Sequence, residues 1–221
     1  YDLLKYFFTS LKTTINQKKY FWGVGYQFTE NFLKTDLKKS LFIKNPKKRW
    51  LADPFVWSNG NEHYCFVEDF SLKKGKGAIS VFKIFKDKYK ELGEVINEDF
   101  HLSYPFIFKA YGDLYMCPAT PDIKEIRLYK CVKFPMEWKL DQVLLKDINA
   151  GDTNIFQYNQ KWWLMTNLSS SKVGDRNSEL HIFYSDDLLS KNWKKHSNNP
   201  VIFDSDLARN GGLILDGKNI F

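Results

Sequence analysis

Four residues able to do chemistry occupy one aligned place in a recurring pattern. Asp53 stands in Ala52-Asp53-Pro54-Phe55, Tyr104 in Ser103-Tyr104-Pro105-Phe106, Asp152 in Gly151-Asp152-Thr153-Asn154, and Arg209 in Ala208-Arg209-Asn210-Gly211. Two carboxylates, a phenol and a guanidinium gathered about one axis would make a polar, hydrogen-bonding floor. The plainer alternative is that Asp53 and Asp152 brace strand ends and pair with Arg209. A little further along each copy stand Glu68-Asp69, Ala119-Thr120 and Asn167, which approach the same place from a second strand. His101 precedes the second copy, where it either meets a ligand hydroxyl or satisfies a loop carbonyl. Glu179 and His181 open a later strand and read as a solvated face, and Trp162 and Trp163 read as core before they read as a ligand platform.

The elements that must position these groups come from an internal repeat, the feature that decides the fold when present. Each aligned head begins a short apolar strand, followed by a turn around Gly60, Gly112, Asn159 or Gly217 and a second apolar strand. That is a hairpin pattern. The copies start about 50, 50 and 57 residues apart. Alternating third strands follow at 79–84, 126–131 and 180–185, then polar fourth strands at 89–96, 138–145 and 193–202. Four strands per unit at this period predict an all-β fold, a β-propeller whose first strands line a central channel. Three blades are complete in the sequence, and a fourth begins at Arg209 and stops at Phe221. An open sheet edge there predicts that the natural protein continues, or that residues 20–44 supply missing strands, with 21–26 as one of them. Leu3, Leu4, Tyr6, Phe7, Leu11 and Ile15 fall near helical spacing. The expected organisation is therefore a short N-terminal helix and linker over 1–20 and an incomplete propeller over 21–221.

Composition narrows the partners. The aromatic share of 17% suits pleated, half-buried strands and offers flat faces to sugar rings or bases. The net charge of +7 comes mostly from scattered lysines, and the one cluster (Lys44, Lys47, Lys48 and Arg49) reads as a solvated loop, which argues against nucleic acid. Cys65, Cys117 and Cys131 fit neither a disulfide framework nor a metal site, so a reducing, cytoplasmic setting is expected. No apolar run reaches the roughly 18 residues of a membrane span, and no secretory signal is visible. The start at Tyr1 suggests that an upstream segment has been lost. There is no nucleotide-binding glycine loop and no metal-ligand cluster, so neither a cofactor nor a metal is expected, although a funnel cation held by Asp side chains and water would leave no motif.

Ala-Asp-Pro-Phe, His-x-Ser-Tyr-Pro-Phe, Phe-Pro-x-x-Trp, Asp-Thr-x-Ile-Phe with Trp-Trp-Leu, His-x-Phe-Tyr-Ser-Asp-Asp-Leu, and Asn-Pro-Val with Ala-Arg occur here in order from Trp50 to Phe221. In these motifs the sequence resembles the N-terminal propeller domain of plant glucosamine inositolphosphorylceramide transferases, also found in bacterial formyltransferase-like and polysaccharide-biosynthesis proteins. That domain is in turn similar to the five-bladed arabinanase, invertase and levansucrase propellers. The resemblance implies five blades and a set of acids around the funnel, because glycosidic chemistry needs one ionised carboxylate and one protonated carboxyl. It implies Asp53 as base or nucleophile and Asp152 as the acid that orients the sugar and tunes its neighbour. The proton donor is where the pattern departs: bacterial members of the group carry Pro-Glu-Ser or Pro-Glu-Thr, and this sequence has Pro118-Ala119-Thr120. Either Glu68 or Glu179 is the acid, or catalysis has been lost, or Ala119 replaces a natural glutamate.

Three functions follow as alternatives. The first is an enzyme that hydrolyses or transfers glycosidic bonds in glycan assembly. Its catalytic residues would be Asp53, Asp152 and Glu68, with His101, Tyr104, Arg209, Ala119 and Asp69 lining the site of a saccharide or nucleotide sugar. The second is a non-catalytic glycan-binding module serving a fused or partner transferase domain, and the third a protein-interaction propeller.

Overall fold

Alternation along the strands decides which blade each side chain meets. In the computed structural model, which describes residues 22–29, 35–169, 176–213, 215–216 and 219–220, the first blade consists of β3 (Arg49–Asn59), β4 (Glu62–Ser71), β5 (Lys76–Ile84) and β6 (Tyr89–Ile96), following two short strands, β1 (Val24–Tyr26) and β2 (Leu41–Ile43). Its strands pair antiparallel in chain order. On β4, Tyr64 and Phe66 face one way and Cys65 and Val67 the other, as a two-residue period requires. The first pair joins Ile79, Val81, Met116, Tyr129 and Trp138 in the core between blades one and two. The second pair joins Leu51, Phe82 and Ile84 with Val24 and Ile43, so the β1–β2 hairpin covers the outer face of blade one. Residues 24–26 form a strand, but it pairs with β2 beside blade one instead of supplying the missing strand expected of 21–26. The helix expected over 1–20 lies outside the described residues.

Blade two contains β7 (Ser103–Ala110), β8 (Asp113–Ala119), β9 (Glu125–Lys133) and β10 (Glu137–Lys146), again in chain order. Blade three contains β11 (Ala150–Tyr158), β12 (Lys161–Leu168) and β13 (Glu179–Ser185), with β14 (Lys194–Lys195) and β15 (Ile202–Phe203) both paired to β13. Between them, Phe106, Cys117, Leu128, Ile155, Trp162, Leu164 and Phe183 form the second inter-blade core. Trp162 is thus a core residue, as its apolar run suggested. The fourth strand of blade three, expected to be continuous over 193–202, is instead two short pieces. Asn199 explains the break: its side-chain oxygen accepts from Ile182 N at 2.8 Å and its amide donates to Ile182 O at 2.7 Å, taking over the ladder bonds of a residue followed by Pro200. A last hairpin, β16 (Leu215–Asp216) with β17 (Asn219–Ile220), stands where the fourth repeat was read.

The innermost strands β3, β7 and β11 lie side by side, β7 between the other two. Their heads therefore meet, and their alignment depends on the inter-blade cores. Phe66 is fully buried between blades one and two. Phe66→Ala is expected to lower unfolding stability by about 3–5 kcal/mol. Val56→Ala, at an exposed position of the same blade, should change it by less than about 0.5 kcal/mol in the same denaturant titration.

Candidate functional site

One local distortion recurs at the head of each innermost strand. Ala52 pairs with Glu68 and Phe55 with Phe66, so Asp53 and Pro54 oppose Val67 alone. Ser103 pairs with Ala119 and Phe106 with Cys117, setting Tyr104 and Pro105 against Pro118. Gly151 pairs with Asn167 and Asn154 with Met165, setting Asp152 and Thr153 against Thr166. Each is a β-bulge, two residues against one, which bends the strand and re-aims a side chain. Asp53, Tyr104 and Asp152 carry φ values of 47°, 48° and 50°, in the left-handed region that residues with a Cβ seldom enter.

Neighbouring blades hold these heads in place. Tyr104 N donates to Asp53 Oδ2 at 3.1 Å, and the Tyr104 hydroxyl donates to Asn154 Oδ1 at 3.0 Å. Arg209 Nε donates to Asp152 Oδ2 at 2.8 Å, and Asn210 Nδ2 donates to the Asp152 carbonyl at 2.7 Å. Bonds therefore run from blade one to two, two to three, and three to the fourth repeat. Asp152 pairs with Arg209 as the bracing alternative expects, whereas Asp53 is held by the Tyr104 N–H, and these bonds aim both carboxyls at a shared space. A cavity of about 1030 Å³ is lined by Asp53, Glu68, His101, Tyr104, Asp152 and Arg209 together with Trp22 and Trp50. A polar cavity of about 500 Å³ shares His101, Ser103, Asp152 and Arg209 with it and adds Ala119, Asp122 and Arg176.

The paired registers show that Glu68, Ala119 and Asn167 hold equivalent places in blades one, two and three. Blade two lacks a carboxyl at this place, and blade one supplies it. Glu68 is 5% exposed, and its pKa is pushed up to about 8, first by burial and then by repulsion from Asp53, Asp152 and Asp69. Burial and Asp152 also raise the pKa of Asp53, but the Tyr104 N–H and the Arg209 charge oppose that rise. Neither a backbone N–H nor a cation lowers the pKa of Glu68 in this way, so of the two Asp53 ionises first. Burial also raises the pKa of Tyr104, which remains a phenol at neutral pH.

His101 backs Glu68. Its Nδ1 accepts from Gly77 N at 2.9 Å, so the neutral ring carries its proton on Nε2, 3.6 Å from Glu68 Oε1. Burial lowers its pKa, with Asp122 opposing and Arg176 adding to the fall. His101 thus meets a backbone N–H rather than a loop carbonyl. Gly77 makes this approach possible: a Cβ there would stand 2.4 Å from Leu102 O and 3.1 Å from both Glu68 Cγ and His101 Cε1. An isolated glycine inside a strand is the sequence signal for such a close approach. Asn154 and Asn210 stand within the aligned heads and Trp50 just before one, but nothing in their spacing marks them as site residues.

Two expected residues stand apart. Asp69 is buried, receives Arg49 Nε at 2.7 Å and Ser80 Oγ at 2.6 Å, contacts Arg49 Nη2, and is not among the residues lining either cavity. Glu179 pairs with His181 at 2.9 Å and also lies outside both linings.

Successive antiparallel blades whose innermost strands lie side by side define a β-propeller. Solved chains with this fold include a family 117 glycoside hydrolase from Zobellia galactanivorans, 13% identical with a TM-score of 0.59 over 83% of this chain and 63% of that one. They also include an alpha-L-arabinofuranosidase from Lactobacillus brevis, 15% identical with a TM-score of 0.56 over 72% of this chain and 60% of that one. The chain itself belongs to the family described as glucosamine inositolphosphorylceramide transferase 1, N-terminal, which matches residues 39–218. It is 38% identical over 170 residues to glucosamine inositolphosphorylceramide transferase 1 of Oryza sativa subsp. japonica, and 36% identical over 176 residues to that of Arabidopsis thaliana. These matches cover 75% and 76% of this chain but 23% of each plant protein. No helix among the described residues is long and apolar enough to cross a membrane.

A carboxyl whose folded pKa is raised to about 8 binds more protons in the folded than in the unfolded protein between about pH 4.5 and 8. Its contribution is fully present below the unfolded value and is lost as pH rises through the folded one. Glu68→Gln removes that titration. Between pH 5 and 8 the melting temperature of the wild type should therefore fall relative to that of Glu68→Gln, as read by calorimetry at matched salt.

Proposed function

We propose that this domain takes a saccharide or sugar donor into its central funnel and acts at the glycosidic carbon during glycoconjugate or polysaccharide biosynthesis. Glu68 gives its proton to the departing oxygen as the glycosidic C–O bond breaks. Asp53 either attacks the anomeric carbon or takes the proton of the attacking water or acceptor hydroxyl. Asp152, fixed by Arg209, orients the sugar, and its charge helps keep Glu68 protonated. Tyr104, His101 and Arg209 supply polar contacts to the ligand. The observation that carries this reading is the pair Glu68 and Asp53 lining one cavity, Glu68 buried so that its carboxyl is held well above the usual carboxylate range and Asp53 kept by a backbone N–H. Kinship with named transferases supports transfer over hydrolysis. A reducing, cytoplasmic setting belongs to the same proposal, supported by the buried free thiols of Cys65 and Cys117.

One observation favours a second reading, a glycan-binding module without catalysis. The chain spans only 23% of its plant relatives, which leaves room for transfer chemistry in a fused or partner domain. Full-length protein assayed with nucleotide sugars and oligosaccharides separates the two. Asp53→Asn and Glu68→Gln should each reduce turnover by about 10²–10⁴-fold while leaving saccharide-dependent thermal stabilisation in place. Unchanged turnover in both variants would remove the catalytic assignment from this domain and leave the binding one.

A further inference from the structure

Trp50 pairs across the strands with Phe70, and their rings stack in parallel, with centroids 4.5 Å apart and planes within 10°. Neither ring belongs to any of the three apolar cores that hold the blades together. Phe70 is backed in turn by His101, ring to ring at 5.9 Å. One face of Trp50 is therefore buttressed by a short aromatic column, while Trp50 itself lines the cavity that holds Asp53 and Glu68 and Phe70 does not.

Trp22 lines the same cavity and is 66% exposed, a large apolar surface left in water. Its backbone is anchored, because Asn45 Nδ2 donates to Trp22 O at 2.6 Å and Asn45 Oδ1 accepts from Leu51 N on β3 at 3.2 Å. A stacked indole and a solvent-facing indole on an anchored backbone stand on the wall of one polar cavity. Their flat apolar surfaces match the C–H-rich face of a pyranose ring, while the carboxyls and Arg209 match its hydroxyls. At about 1030 Å³ the cavity reaches the upper end of the usual range for small-ligand sites, more space than one sugar ring fills.

We propose that Trp50 and Trp22 form a second saccharide subsite beside the carboxyl groups, so that the ligand is an oligosaccharide or glycoside rather than a free monosaccharide. This rests on the reading that the funnel takes carbohydrate. The ring carrying the reacting bond sits at Asp53 and Glu68, and the next unit stacks on the indoles. Trp50 and Trp22 thereby set the length of saccharide accepted.

The test is an array of defined mono-, di- and trisaccharides probed with the full-length protein, with affinities of retained sugars measured by titration. The wild type should retain di- and trisaccharides over monosaccharides. Trp22→Ala and Trp50→Ala should each weaken the longer sugars by about tenfold and leave any monosaccharide affinity within about twofold. Trp50→Phe, which keeps a flat ring against Phe70, should recover most of the loss and guards against misfolding of the alanine variant. Equal affinity for mono- and disaccharides, or unchanged affinity for the longer sugars in both Trp22→Ala and Trp50→Ala, would overturn the subsite while leaving carbohydrate binding intact. Retention of no saccharide by the wild type would overturn both.

Discussion

A β-bulge at the head of each innermost strand controls everything that happens in the funnel. A regular strand would carry residues 53, 104 and 152 past the axis in ordinary alternation. The extra residue bends the strand and places these three side chains at left-handed φ, and the neighbouring blade supplies the bond that keeps each one there. Because each head is braced by the next blade, the inter-blade cores and the polar floor depend on one another. Loosening the Phe66 or Trp162 packing would shift the partner that holds Asp53 or Tyr104.

The electrostatics of the site follow from that convergence. Carboxyls aimed at a common space within a partly buried funnel cannot all ionise at neutral pH. The proton settles on Glu68, which has burial and three carboxylate neighbours acting on it and no compensating cation or backbone donor among its influences. Asp53 keeps a backbone N–H and sits near Arg209. The asymmetry between two carboxyls of similar intrinsic acidity is thus set by burial, neighbouring charge and hydrogen-bond partners rather than by residue type. Ala119 does not empty the site of acids, because Glu68 occupies the matching register one blade earlier.

Much of this was legible in the sequence. The fifty-residue period gave the blades, their strand order and the shared position of Asp53, Tyr104 and Asp152, because a propeller repeats its backbone as well as its residues. The bulges were not legible, since the sequence signals of a hairpin are the same with or without one extra residue. Nor was the separation of Glu68 from Asp69. Adjacent acids on one strand point to opposite faces, and only the packing shows that Asp69 is taken up by Arg49 and Ser80 while Glu68 lines the cavity. Asn199 broke a strand that periodicity had drawn as continuous, because a side-chain amide can imitate the backbone it replaces.

The chemistry of the funnel depends on Glu68 staying a neutral carboxylic acid at pH 7 beside a more readily ionised Asp53. Carbon-13 NMR of side-chain carboxyls in glutamate-labelled protein tests it most directly, with Glu68→Gln used to assign the resonance. A Glu68 signal that titrates near pH 8 agrees with the account. One that titrates between about pH 4 and 5, like an exposed glutamate, contradicts it.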